Sequence, residues 1–94
     1  MLNGAKGTIS VTANVAPKQM AEVCHAAVAG DVELARGLNA KLKALHQDLF
    51  VESNPIPVKW ALSELGMIKN GIRLPLTELS SDFHDVVRDA LRAA

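Results

Sequence analysis

The chain is 94 residues long and 49% hydrophobic, with ten basic side chains balanced by ten acidic ones. That balance leaves no electrostatic footprint for nucleic acid, an anionic membrane surface or an acidic ligand, and the length suffices for one domain or part of one. A single cysteine excludes an internal disulfide, no apolar run approaches the roughly 18 residues of a membrane span, and the first residues lack a signal-peptide pattern, so a soluble, reducing, cytoplasmic setting is expected.

Met1 to Lys6 is short and polar. Gly4-Ala5-Lys6-Gly7 lacks the preceding strand and the glycine spacing of a phosphate loop and reads as a turn. Residues 7–15 then alternate Ile9, Val11, Ala13 and Val15 with Thr8, Ser10, Thr12 and Asn14, the period-two pattern of a strand. It is the one strand-like stretch in the chain. A lone strand leaves its backbone N–H and C=O groups without partners, so those partners must come from outside these 94 residues.

The rest reads as helix. Pro17 is suited to a first-turn position, and Met20, Val23, Cys24, Ala27 and Val28 form one stripe of a helix over residues 17–29. Gly30 fits a left-handed stop and Asp31 a cap for the next helix, over residues 31–51. There Leu34, Leu38, Leu42, Leu45 and Leu49 make a leucine seam, short of three heptads and interrupted by Gly37, that suits packing on a neighbouring helix or subunit. Pro55 and Pro57 stiffen the segment entering a third helix over residues 57–65, which Gly66 ends. Asn70-Gly71 marks a turn and Leu74-Pro75-Leu76 an extended crossing. The last helix, residues 81–93, lines Phe83, Val86, Val87, Ala90 and Leu91 on one face, with Asp85–Arg88 and Asp89–Arg92 able to pair outside.

No constellation of catalytic groups is evident. Cys24 lies on an apolar stripe and reads as a core thiol, without the base that a nucleophile needs. His25 reads as solvated and His84 as exposed without a relay, while His46 sits among polar positions with no second ligand at i+4 and no carboxylate at metal-binding spacing. Neither a metal nor a cofactor is implied. Because the chain has no tyrosine, a phenolic proton relay cannot be completed within it.

Two stretches carry a resemblance. Gly7-Thr8-Ile9-Ser10-Val11-Thr12-Ala13-Asn14-Val15-Ala16 and the run from Leu49 through Ser53-Asn54-Pro55-Ile56-Pro57-Val58-Lys59-Trp60 to Ala61, with Arg73-Leu74-Pro75-Leu76, closely resemble the dihydrodipicolinate synthase family. The similarity runs through the whole chain but matches only the C-terminal third of a family member. It implies an α/β fold, a (β/α)8 TIM barrel with a helical extension, of which this mainly α fragment is the last strand and helix (residues 1–30) and the extension (residues 31–94). Residues 8–14 would be the eighth barrel strand.

The implied activity is lyase chemistry, in which pyruvate and L-aspartate-4-semialdehyde condense through a Schiff base on the route to diaminopimelate and lysine. Only two positions carry over toward substrate: Ile9, through its backbone carbonyl near pyruvate, and Asn54, on the stretch that approaches the barrel mouth. No catalytic residue carries over. The Schiff-base lysine lies two strands earlier, and Lys6, Lys18 and Lys59 sit in the wrong motifs to replace it, so the fragment is expected to be inactive alone and to belong to a homo-oligomer. A second reading keeps the chain as a stand-alone helical module that self-associates or binds a synthase through the Leu34–Leu49 seam. A third makes it a truncated reading frame without a selected function.

Overall fold

The computed structural model describes all 94 residues. Four helices are present: α1, Pro17–Val28; α2, Val32–Asp48; α3, Ile56–Glu64; and α4, His84–Ala93. Two 3-10 turns, Thr12–Asn14 and Ser81–Phe83, precede α1 and α4.

Local chemistry sets the helix ends. Pro17 opens α1, where a missing N–H costs nothing. Gly30, at φ +82°, closes it: its N–H reaches the Ala27 carbonyl at 3.2 Å and the Asp31 N–H reaches that of Ala26 at 3.0 Å. That double bond pattern satisfies two carbonyls that the helix end would leave orphaned. The Asp31 carboxylate then accepts from the Leu34 N–H at 3.1 Å and caps α2, so α1 and α2 form a hairpin. Gly66, at φ +76°, ends α3 by the same pattern, with Met67 N–H bonded to the Leu62 carbonyl at 3.0 Å.

α2 is the central element, packed between α1 and α4, while α3 closes on α4. Its Leu42, Leu45 and Leu49 are fully buried among Met20, Trp60, Ala61, Leu79, Val87 and Ala90. Each such leucine contributes roughly 1.5–3 kcal/mol by leaving water. The expected seam therefore divides. Its last three leucines are interior to this chain and unavailable to a second subunit, whereas Leu34, at the hairpin end, is half exposed and Leu38 partly so. On α4 the expected face is largely buried, apart from Val86 at its edge. The Glu52 carboxylate accepts from the Ser80 N–H at 2.8 Å and so ties the approach to α3 to the start of α4.

The strand expected over residues 7–15 is absent. Alternation makes a strand possible, but a strand exists only where a second one supplies the ladder, and this chain has none. No backbone N–H or C=O of residues 5–10 makes a hydrogen bond. Beyond them the backbone turns: the Thr12 carbonyl accepts from the N–H groups of Val15 and Ala16, at 3.1 and 2.9 Å, in place of a cross-strand partner. Ile9, read as part of an apolar face, is fully exposed at 104%.

The molecule measures 42 × 23 × 21 Å with a radius of gyration of 14.2 Å, against about 12 Å for a compact domain of this length. Its accessible surface of 6147 Å² likewise exceeds the about 5,200 Å² typical of a self-contained chain of this mass. The elongated shape goes with apolar groups at Ile9, Phe50 and Leu74 that face outward with nothing from this chain to cover them.

Candidate functional site

Residues 8–12 form one wall of an open cavity of about 410 Å³, completed by Met20, Val23 and Cys24 of α1, Asn39 and His46 of α2, and Phe50. Ile9 stands on its rim. Its carbonyl makes no hydrogen bond within the chain. Cys24 is half-buried on the same wall and is a free thiol.

A polar chain holds this wall in place. Thr12 is buried at 2% exposure, and its Oγ1 lies 2.9 Å from His46 Nδ1, while His46 Nε2 lies 2.9 Å from Asn39 Oδ1. Asn39 Oδ1 can only accept, so His46 Nε2 carries the proton and Nδ1 accepts from the Thr12 hydroxyl. His46, read only as lying among polar positions, is half-buried and joins residues 12–14 to α2. The partners lie 34 residues apart in sequence, and no local spacing announces them.

Asn54 is exposed and precedes Pro55 through a cis peptide bond. It lies outside the Ile9 cavity, so the two proposed substrate-facing positions share no cavity wall. The lysines are apart as well: Lys6, Lys18 and Lys59 are exposed, and none lines the Ile9 cavity.

His84, expected in solvent, is stacked on Trp60 with ring centroids 4.4 Å apart and donates from Nε2 to the Leu79 carbonyl at 3.1 Å. Arg88 lies 5.3 Å from the same indole, bonded to Glu64 at 2.9 Å and to Asp85 at 3.4 Å. The Glu64 hydrogen bond is the main influence holding the Arg88 guanidinium above its ordinary pKa. All these groups are engaged with one another. They clasp α3 to α4 and leave no free base or nucleophile.

No group of three or more histidine, cysteine, aspartate or glutamate side chains is placed to hold a metal ion. No helix is long and apolar enough to cross a membrane. The chain is thus a helical array with a stretch of unpaired backbone beside an open cavity and no assembled reactive centre.

The comparisons give the chain its family. The model of the dihydrodipicolinate synthetase family matches residues 1–94. The 4-hydroxy-tetrahydrodipicolinate synthase of Marinobacter nauticus is 63% identical over 94 residues, all of this chain and 32% of that protein. That of Methylococcus capsulatus is 60% identical over 93 residues, 99% of this chain and again 32% of the relative. Among solved structures, a chloride-inhibited dihydrodipicolinate synthase from Acinetobacter baumannii, complexed with pyruvate, matches with a TM-score of 0.94 and 58% identity over 98% of this chain and 32% of that one. The Thermotoga maritima synthase matches with a TM-score of 0.87 and 48% identity over 92% of this chain and 29% of that one.

The chain belongs to the dihydrodipicolinate synthetase family, a family of TIM-barrel lyases, and spans about a third of the length of the relatives it matches.

Proposed function

We propose that the chain is a C-terminal portion of a 4-hydroxy-tetrahydrodipicolinate synthase, which as a whole condenses pyruvate with L-aspartate-4-semialdehyde through a Schiff base, and that it is inactive alone. Residues 1–30 are the eighth β/α unit, with residues 8–14 as the segment of the closing strand, of which residues 8–10 are unpaired here, and residues 31–94 are the helical extension. Ile9 offers its carbonyl to the pyruvate region, and Asn54 approaches the substrate from the extension. The whole enzyme is cytoplasmic and a homo-oligomer.

The observation that carries this reading is the run of unpaired backbone at residues 5–10 in a chain that matches its relatives from end to end yet covers 32% of their length. A strand of a closed barrel has neighbours on both sides. Residues 5–10 have neither.

Covalent condensation needs an amine nucleophile activated by its surroundings. Treatment of the chain with pyruvate and borohydride, followed by mass spectrometry, should leave its mass unchanged. A pyruvate-sized adduct on Lys6, Lys18 or Lys59 would contradict the assignment of the nucleophile to the rest of the enzyme.

A further inference from the structure

A second cavity, of about 520 Å³, opens between the start of α3, at Pro55 and Lys59, and the crossing at residues 72–76. Its lining is apolar except for two side chains, Lys59 and Arg73. Both are exposed, and neither makes an ion pair or a side-chain hydrogen bond; the acids Glu64, Asp85 and Asp89 are engaged with Arg88 and Arg92 instead. Glu78 shares a small adjoining hollow with Lys59 but forms no ion pair with it. α3 begins at this wall, on Pro55, with no side-chain cap, so the positive end of its dipole is not offset by a carboxylate there.

The two cations differ usefully. A guanidinium presents a planar fork that matches both oxygens of a carboxylate, and an ammonium adds a compact charge on a flexible stem. The apolar remainder of the cleft suits a short carbon skeleton and not a heavily hydrated ion. We infer that this cleft is a binding site for a small carboxylate, separate from the Ile9 cavity. Because both cations are exposed, binding is weak, with a dissociation constant on the order of 1–10 mM. Pro55 directly follows Asn54, so a carboxylate held here lies beside the segment proposed to approach the substrate; that consequence, unlike the binding itself, rests on the family reading.

The test is titration of the 94-residue chain with sodium acetate, at ionic strength held constant with sodium chloride, followed through backbone amide resonances. Saturating shifts are expected at residues 56–59 and 72–74. Changing Lys59→Gln together with Arg73→Gln should weaken binding at least about tenfold, the effect of losing two charge-assisted contacts. Glu78→Gln, which removes the nearest competing carboxylate, should leave acetate binding intact or tighten it. Shifts that do not saturate, that sodium chloride reproduces alone, or that persist unchanged in the double variant would overturn the inference.

A measurement on the unaltered chain keeps the test independent of any variant. Acetate should slow phenylglyoxal modification of Arg73 several-fold while leaving the exposed, unpaired Arg36 unaffected. Equal effects on the two would likewise overturn it. Borohydride trapping separately reads whether the nucleophile lies outside this chain, so either can fail without the other.

Discussion

The hydroxyl of Thr12 lies 2.9 Å from His46 Nδ1 and joins the turn before α1 to the last turn of α2. The contact crosses the boundary between the proposed β/α unit and the proposed extension. It fixes the residues that follow Ile9, and so helps set where that carbonyl stands.

Breaking the contact from either side should have unequal consequences. His46→Ala leaves the buried Thr12 hydroxyl without a partner, at a cost of about 1–3 kcal/mol, whereas Thr12→Val leaves only the half-buried imidazole unmatched and should cost about 1 kcal/mol. Urea unfolding of both variants and of the double variant checks this. The double variant should be more stable than the sum of the two single losses implies.

The leucines of α2 should sort by burial and not by their shared spacing. Leu45, with no exposure, should cost about 2–5 kcal/mol on truncation to alanine. Leu34, half exposed, should change stability by no more than about 0.5 kcal/mol. The same unfolding measurement separates them. Equal effects would place the seam at an interface and revive the self-association reading.

Two glycines should respond with opposite signs. Gly30 holds φ +82°, so Gly30→Ala should destabilise by about 1–2 kcal/mol through backbone strain, although nothing lies within 4 Å of the added carbon. Gly37 sits inside α2 with the same open space around it. Gly37→Ala should stabilise by about 0.5–1 kcal/mol. Thermal melting followed by helical circular dichroism reads both.

Trp60 reports on the clasp between α3 and α4, since its indole is 7% exposed and covered by the His84 ring. His84→Ala should shift its fluorescence to the red and raise its quenching by acrylamide. Glu64→Gln, which removes a half-exposed ion-pair partner of Arg88, should leave the emission nearly unchanged, because surface pairs contribute little. A spectrum insensitive to His84→Ala would contradict the stack.

Much of the helical array was legible because its punctuation is local. Pro17, Gly30, Asp31 and Gly66 each act on the residues beside them, and each does what its chemistry dictates. The strand is not formed in this chain because alternation at residues 7–15 describes a side-chain pattern, while a ladder also needs the partner that the same reading placed outside the 94 residues. The engagement of His46, and of His84, which was expected in solvent, was out of reach for the complementary reason. Their partners, Thr12 and Trp60, are 34 and 24 residues away, and contacts at that range follow from packing, which no window of sequence contains. The carbonyl of Ile9 was singled out through family likeness alone. A backbone group has no side-chain signature to find.

Hydrogen exchange at the amides of residues 5–10 tests the central claim most directly. The chain should be measured alone and again mixed with the Marinobacter nauticus synthase truncated to lack the segment this chain matches. The account predicts exchange at close to the unprotected rate in the chain alone, since no backbone bond holds these residues, and protection by at least about a hundredfold in the mixture as a strand forms. Protection in the chain alone, or exchange that the complementary piece leaves unchanged, would contradict it.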